Sequence, residues 1–220
     1  MSKTLVVGAN RGIGLELARR YAARGDEVIA TCRASSGELD SLAVEVVRGV
    51  EVTTDAGVAA LRAALGDRVL DVAVVVSGIL RGDDLEHLDL DRVREQLEVN
   101  AIGPLRVARA LVAHLGKGSK LAFLTSRMGS IADNSSGGYY AYRMSKAALN
   151  MAGASLAIDL RGRGVAVALV HPGFVRTEMT GGNGNVDPLE AAAEIVERID
   201  ALTLASSGQF VHANGERLPW

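Results

Sequence analysis

Tyr142 and Lys146 stand four residues apart in the segment Y-R-M-S-K, at the head of an alanine-rich run. On a helix, this spacing places a phenol and an ammonium group on one face. A phenol has an ordinary pKa near ~10, and a positive charge within ~4–6 Å lowers that pKa. We therefore expect Lys146 to lower the pKa of Tyr142, and such a pair suits proton transfer to or from an alcohol or carbonyl oxygen. One such pair can arise by chance, so its interpretation depends on the other motifs.

A glycine-rich turn follows the first apolar run of the chain. The segment G-A-N-R-G-I-G spans residues 8–14 and leads into an amphipathic pattern. Gly8 suits a sharp turn, Gly12 lets the backbone approach a pyrophosphate, and Gly14 permits close packing of helix on strand. The N-terminus of the following helix offers free N–H groups to an anion. The spacing differs from the commoner G-x-G-x-x-G fingerprint, but its position favours a dinucleotide site over a purely structural turn.

The end of the second predicted strand bears on which dinucleotide binds. An NAD site usually carries an acidic residue there for the ribose 2′-hydroxyl, whereas this strand ends Ala30-Thr31-Cys32-Arg33. The guanidinium groups of Arg33 and Arg11 match phosphate geometry and could flank a 2′-phosphate. The sequence therefore favours NADP(H) over NAD(H). The alternative is that both arginines are ordinary solvated loop residues.

Short β-branched runs alternate with longer helical patterns along the chain. The pattern predicts strands at residues 3–7, 27–31, 47–52, 70–76, 119–125, 165–170 and 209–212. It predicts helices around residues 12–24, 56–65, 88–115, 139–161 and 188–203. Runs such as V-A-V-V-V at residues 72–76 lack polar alternation, which indicates strands buried on both faces of a parallel sheet. We predict one α/β domain over residues 1–220, a Rossmann-like doubly wound parallel sheet of about seven strands with helices on both faces.

Composition and charge argue against several classes of function. The 220 residues are 48% hydrophobic but only 4% aromatic, so the core must be mostly Val, Leu, Ile and Ala. A formal net charge of -2 does not indicate a basic surface for binding nucleic acid, nor a polybasic patch for binding a membrane. The single cysteine, Cys32, excludes an intramolecular disulfide, and the four histidines show no metal-ligand spacing. With no targeting segment and no apolar stretch of ~20 residues, we expect a cytoplasmic protein without metal, membrane or nucleic-acid partners.

Together these motifs resemble those of the short-chain dehydrogenase/reductase family, over nearly the whole chain. The matching residues are Gly8, Gly12 and Gly14, Asn100 in E-V-N-A-I-G-P, Ser126 in L-T-S-R-M-G-S, the Tyr142/Lys146 pair, and H-P-G-F-V-R-T at residues 171–177. The segments around Ser126 and Tyr142 and the ending G-E-R-L-P-W are similar to those of the C-factor and sniffer-type carbonyl reductases.

The resemblance implies a catalytic role for four residues. Tyr142 would be the general acid for carbonyl reduction, or the base for the reverse reaction. Lys146 would hold the nicotinamide ribose hydroxyls and lower the phenol pKa, and Ser126 would orient the substrate oxygen. Asn100 would bend its helix and hold a water that connects Lys146 to solvent. From the residues alone, Asn100 could instead cap the helix that follows it.

The resemblance also implies the cofactor contacts. Pro172 and Gly173 would shape the nicotinamide pocket, and Val175 and Thr177 would bind the carboxamide. The full predicted set is Gly8, Asn10, Arg11, Gly12, Ile13, Gly14, Arg33, Val52, Ser77, Gly78, Asn100, Tyr142, Lys146, Pro172, Gly173, Val175 and Thr177.

Two features depart from the family pattern. Most members carry N-N-A-G after the fourth strand, whereas this chain has V-V-S-G at residues 75–78, which keeps the glycine but loses an amide. The segment between Ser126 and Tyr142 is a few residues longer than usual, and we expect it to form part of the substrate wall. Thr125 and Ser130 are neighbouring hydroxyls that remain alternatives to Ser126.

The resulting expectation is an NADP(H)-dependent carbonyl reductase or alcohol dehydrogenase that acts on a small carbonyl or alcohol substrate. An alternative is a signalling or regulatory protein of C-factor type that binds the cofactor with little or no turnover. Family members commonly pair through helices that correspond to residues 88–115 and 139–161, so the resemblance also implies a homodimer.

Overall fold

A seven-stranded parallel sheet runs through the computed structural model, which describes all residues, 1–220. The strands are β1 (Lys3–Val7), β2 (Glu27–Thr31), β3 (Glu45–Val47), β4 (Leu70–Val75), β5 (Leu115–Leu124), β6 (Ala166–His171) and β7 (Phe210–His212). The helices are α1 (Gly12–Ala23), α2 (Gly37–Asp40), α3 (Asp55–Leu65), α4 (Leu90–Leu97), α5 (Gly103–Leu111), α6 (Tyr140–Asp159) and α7 (Pro188–Asp200). The strand order is β3-β2-β1-β4-β5-β6-β7, and every neighbouring pair is parallel. The predicted doubly wound fold is confirmed.

Both faces of the sheet are covered by helices, which explains the continuous apolar runs. Leu5 and Val7 of β1 belong to a cluster of 26 buried residues that includes side chains of α3, α5 and α6. Val6, between them, belongs to a second cluster of 23 buried residues that includes side chains of α1 and α7. Because successive strand residues point to opposite faces, a strand covered on both sides must be apolar at every position.

The predicted position of the third strand is wrong. We expected it at residues 47–52, but β3 ends at Val47. Gly49 has a left-handed φ of 76° and turns the chain, so that residues 50–53 leave the sheet and run along its carboxyl edge. The short helix α2 was not predicted, because a single turn has no periodicity to detect; the Ser36 side chain caps it by accepting from the Leu39 N–H at 3.2 Å.

The predicted helix at residues 88–115 is one helical run with an internal irregularity. A π-helical turn, Glu98–Ile102, joins α4 to α5, and a short 3₁₀ turn, Val112–His114, ends the run. Strand β5 therefore begins at Leu115, four residues before the predicted start. The other elements begin and end within a few residues of their predicted bounds.

The strand order reverses between β1 and β4, the two neighbours at the centre of the sheet. In open α/β sheets, ligands bind outside the carboxyl ends of the strands at such a switch point. None of the helices combines the length and apolar character needed to cross a lipid bilayer.

Candidate active site

A cavity of about 980 Å³ lies at the carboxyl edge of the sheet, across the switch point between β1 and β4. Most of the predicted cofactor contacts line it: Gly8, Asn10, Arg11, Gly12, Ile13, Gly14, Arg33, Val52, Ser77, Gly78, Tyr142, Lys146, Pro172 and Thr177. Four predicted residues, Asn100, Ser126, Gly173 and Val175, are not on this lining. Residues separated by more than a hundred positions in the chain thus share one groove.

The glycine turn forms a backbone cradle at the centre of the cavity. Gly8 and Gly12 have left-handed φ values of 90° and 53°, a conformation that L side chains rarely adopt. A Cβ on Gly14 would lie only 2.0 Å from the Gly8 carbonyl oxygen, so the start of α1 packs against the turn without room for a side chain. No side chain caps α1, which leaves its N-terminal N–H groups available to an anion.

The rest of the groove also fits a dinucleotide. The Ser77 hydroxyl, on the lining beside the glycine turn, is buried and has no hydrogen-bond partner in the protein. A buried polar atom without a partner is costly, so it indicates a ligand group that completes its hydrogen bonding. The Ser77 backbone also lies against Gly8, where an added Cβ would be 3.1 Å from the Ser77 nitrogen.

Both arginines proposed for a 2′-phosphate line the cavity, and both are already ion-paired. Arg33 lies 3.4 Å from the Glu51 carboxylate, and Arg11 is paired with Glu178. Partial burial opposes ionisation of Glu51, yet hydrogen bonds from Thr53 and the charge of Arg33 hold its pKa below the usual value. The Arg33 side chain is 72% exposed, so its pairing with Glu51 is open to exchange with another anion.

Tyr142 and Lys146 lie on the first turns of α6 and face the same cavity. The Lys146 ammonium is 5.8 Å from the centre of the Tyr142 ring and donates to the Leu124 carbonyl at 3.0 Å. Both side chains are buried, with exposed fractions of 8% for Tyr142 and 4% for Lys146. The four-residue spacing has therefore brought the phenol and the ammonium together in one environment.

The pKa of Tyr142 is shifted in the opposite direction from the one expected. Burial raises the pKa of Tyr142 to about 12, although a hydrogen bond between its hydroxyl and Ser126 acts to lower it. Burial also lowers the pKa of Lys146 to about 8. The expectation that Lys146 lowers the phenol pKa is wrong for this arrangement, because removal of the phenol from water dominates the shift and Lys146 is not among the groups that lower it.

Of the three candidate hydroxyls, Ser126 is the one that acts on the pKa of Tyr142, and the two alternatives are engaged elsewhere. The Thr125 hydroxyl donates to the Asn150 side chain at 2.6 Å inside the core, although Thr125 itself lines the cavity. The Ser130 hydroxyl accepts from the Asp133 N–H at 3.1 Å. Ser126 begins a 3₁₀ turn, Arg127–Gly129, and accepts from the Met128 N–H at 3.2 Å, which fixes its side chain.

Asn100 lies in the π-helical turn, below the cavity floor. Its fully buried carboxamide accepts from the Ile79 N–H at 2.7 Å and donates to the Ile79 carbonyl at 2.8 Å. It also donates to the Ser145 hydroxyl at 2.9 Å, one residue before Lys146. The alternative that Asn100 caps a helix is wrong, because it lies inside a continuous helical run. The π turn agrees with the bend that the family resemblance implied.

The structure shows why the V-V-S-G segment keeps its glycine. A Cβ on Gly78 would lie 3.2 Å from the Asn100 side-chain oxygen and 3.5 Å from the Lys146 nitrogen. The glycine thus lets the chain after β4 pass close to both groups. The backbone of the next residue, Ile79, is bonded at both its N–H and its carbonyl by the Asn100 side chain.

The segment after β6 supplies the other end of the cavity. Pro172 and Thr177 are on the lining, whereas Val175 is buried behind it and pairs with Val186 in an isolated bridge. The Thr177 N–H donates to the Thr180 hydroxyl at 3.1 Å. This N–H is therefore already engaged, and only the Thr177 side chain is left for the proposed carboxamide contact.

Sequence reasoning missed part of the lining. Val50, Glu51 and Thr53 reach the groove because β3 ends early, and Gly49 was the signal for that turn. The other unpredicted lining residues are Val7, Cys32, Val76, Ile79, Leu80, Arg81, Glu95, Glu98, Val99, Leu124, Thr125, Arg176, Glu178 and Met179.

The family model described as enoyl-(acyl carrier protein) reductase matches residues 7–202 of the chain. The chain belongs to the short-chain dehydrogenase/reductase family. It is therefore an oxidoreductase of that type, with the Rossmann-like fold described above.

Two relatives are 42% identical to the chain. One is the 1-hydroxy-2-glutathionyl-2-methyl-3-butene dehydrogenase of Rhodococcus sp. (strain AD45), and the match covers 100% of both proteins. The other is the C-signal protein of Myxococcus xanthus, where the match covers 62% of this chain and 82% of the relative.

Two solved structures have nearly the same fold over the whole chain. The carbonyl reductase Sniffer of D. melanogaster is 28% identical, with a TM-score of 0.90 and 100% coverage of both chains. The NADPH-bound carbonyl reductase from chicken fatty liver is 27% identical, with a TM-score of 0.91 and coverage of 100% of this chain and 99% of that one.

Proposed function

We propose that this protein is an NADP(H)-dependent reductase that converts an aldehyde or ketone to an alcohol, or catalyses the reverse reaction. The observation that carries the proposal is that Tyr142 and Lys146 line the same groove as the glycine turn, with Ser126 acting on the phenol from behind that lining. A bound nicotinamide dinucleotide supplies the hydride, and the protein supplies position and protons.

Tyr142 is the proton donor in the reduction. Because burial raises the pKa of Tyr142 to about 12, its phenol is protonated at neutral pH. The alkoxide left by hydride addition is much more basic than a phenolate, so the proton transfer remains favourable. The high pKa therefore suits reduction better than alcohol oxidation, in which the same group must act as a base.

Ser126 and Lys146 hold the reacting partners. The Ser126 hydroxyl is the protein group that lowers the pKa of the phenol, so a carbonyl oxygen placed between the two hydroxyls would receive a hydrogen bond from each. Lys146 uses one N–H on the Leu124 carbonyl and has two donors left, which suits ribose hydroxyls on the cavity side. Asn100 fixes Ser145 and the chain at Ile79, and thereby the floor on which Lys146 rests.

The preference for NADP(H) rests on Arg33 and Arg11, two exposed arginines on the lining next to the glycine turn and the end of β2. The bound cofactor in the chicken carbonyl reductase is NADPH, which agrees with this preference. Glu51 and Glu178 compete for these arginines, so the preference is expected to be moderate.

The substrate is proposed to be a small carbonyl compound or the matching alcohol. The Rhodococcus relative acts on an alcohol that carries a glutathionyl group, which makes a thioether-bearing alcohol a second member of the test panel.

The proposal is tested by following NADPH consumption by the purified protein with aldehydes, diketones and quinones. NADP+ reduction with a glutathione-conjugated alcohol is followed in parallel. Turnover of at least one carbonyl compound is expected. Tight NADPH binding with no turnover of any compound would instead support a cofactor-binding signalling protein, the role suggested by the C-signal relative.

A further inference from the structure

The chain that leaves β4 is held by two carboxamide side chains from one helical face. We call residues 79–83 the strap. Asn100 bonds to both the N–H and the carbonyl of Ile79, at 2.7 and 2.8 Å. Gln96, one turn earlier, bonds in the same way to Arg81, at 3.0 and 3.2 Å. Both carboxamide side chains are fully buried, so neither exchanges these bonds with water.

The far end of the strap holds the first turn of α6. The Asp83 carboxylate accepts from the N–H groups of Tyr140 and Ala141, the latter at 3.0 Å. The Asp83 carbonyl accepts from the Tyr139 N–H at 2.9 Å. A helix leaves its first N–H groups without internal partners, and the residue just before it usually provides one. Here the partner lies more than fifty residues earlier in the chain.

The residue at the start of α6 cannot provide this cap itself. Tyr139 has a left-handed φ of 50°, which makes it the one non-glycine residue of the chain with a positive φ, and its side chain makes no cap hydrogen bond. Its ring instead lies against Gly82 of the strap, where an added Cβ would be 3.5 Å away. An unusual backbone conformation persists where the surroundings hold it in place, and here the strap provides those surroundings.

We propose that Asp83 is a positioning residue for the reaction, an inference that rests on the proposed function. Through the strap, Asp83 fixes the position of Tyr142 relative to the cofactor groove. Tyr142 follows directly after the two residues that the carboxylate holds. The other end of the strap is fixed to Asn100, below Gly78 and Lys146. One five-residue segment therefore connects the groove floor with the helix turn that carries the phenol.

The test compares Asp83→Ala with Asp84→Ala in carbonyl reduction. Asp84 is the matched control, because it is the adjacent carboxylate and bonds only within its own loop, to His87 at 2.8 Å. A shift of about 1 Å in a reacting group can cost ~100-fold in rate, so we expect kcat to fall at least about tenfold in Asp83→Ala. The KM for NADPH should stay within about twofold, since Asp83 is not on the lining and the part of the strap that is on it remains held by Asn100 and Gln96. Asp84→Ala should keep both constants.

Asp83→Asn separates positioning from stability. Asparagine keeps one acceptor oxygen for the helix, so it should recover part of the lost kcat even if Asp83→Ala folds poorly. A lowered melting temperature with an unchanged kcat in Asp83→Ala would overturn the proposal and leave an ordinary stabilising cap. A wild-type protein without turnover would overturn the proposed function itself, which is a separate outcome.

Discussion

At the scale of single residues, burial shifts the pKa values of Tyr142 and Lys146 in opposite directions. It raises the pKa of Tyr142 to about 12 and lowers that of Lys146 to about 8, because the charged form is disfavoured in both cases. At neutral pH the phenol is thus held neutral, and the ammonium is protonated but less firmly than in water. This combination provides a proton donor beside a cation, which is what carbonyl reduction requires.

Removal of the phenol hydroxyl tests the proton-donor role. General acid catalysis contributes ~10²–10⁴-fold in rate, so Tyr142→Phe should lower kcat by at least about 100-fold. The Kd for NADPH, measured by fluorescence titration, should change by less than about twofold. Tyr140→Phe is the matched control, since this exposed tyrosine lies on the same turn and should keep full activity. Retained turnover in Tyr142→Phe would remove this residue from its proposed role.

Cofactor preference is tested by a charge reversal at Arg33. Loss of a charge-assisted contact with a 2′-phosphate corresponds to ~1.5–3 kcal/mol, so Arg33→Asp should weaken NADPH binding about tenfold or more. NADH lacks that phosphate, and its Kd should change much less. Glu51→Gln is the opposing variant: it frees Arg33 from its ion pair and should tighten NADPH binding. Equal losses for both cofactors in Arg33→Asp would contradict the NADP(H) preference.

At the scale of elements, the glycine turn depends on the close approach of α1 to β1. A methyl group at position 14 would lie 2.0 Å from the Gly8 carbonyl, so helix and turn must separate to admit it. Overpacking of this kind costs ~1–3 kcal/mol, so Gly14→Ala should lower the free energy of unfolding by that amount and weaken NADPH binding. Urea titration and fluorescence measure the two effects. Gly37→Ala is the control, because its Cβ would meet nothing within 4 Å.

Local sequence signals predicted the elements that are defined by neighbouring residues. The glycine turn, the Tyr142/Lys146 pair and the apolar strands depend on spacings of a few residues, and all were recognised. The end of β3 was misplaced because Val50 and Val52 look like strand residues, although Gly49 turns them out of the sheet. β-branched residues favour a strand, but packing decides whether one forms.

Contacts between distant segments could not be predicted in the same way. The ion pair of Arg33 with Glu51, the carboxamide bonds of Gln96 and the remote cap from Asp83 each depend on how the folded chain brings loops together. The pKa of Tyr142 is another such property: the sequence shows a nearby cation, but not the burial that raises the pKa.

At the scale of the whole molecule, the cofactor groove and the most exposed apolar helix face lie on different surfaces. The groove occupies the carboxyl edge, whereas α6 presents a row of exposed apolar side chains away from the core. Met144, Met151 and Ile158 follow one another at seven-residue intervals, with exposed fractions of 51%, 69% and 76%. Residues seven apart share one face of a helix, and solvated helix faces are usually polar. Such a row is typical of a surface that another chain covers.

We therefore predict a homodimer in which α6 packs against its counterpart together with Ile102 of the π-helical turn and Leu105 of α5, both exposed. Light scattering should give about twice the chain mass of 23.0 kDa. Met151→Glu places a charge in the middle of the apolar row, so it should shift the mass toward the monomer. Leu189→Glu is the control, because this equally exposed leucine lies on α7, which covers the opposite face of the sheet. A monomeric wild-type protein, or a dimer unaffected by Met151→Glu, would refute this assembly.

Because Tyr142 lies on the same helix as the row, a monomeric variant with reduced kcat would further indicate that dimer contacts help to hold the catalytic turn.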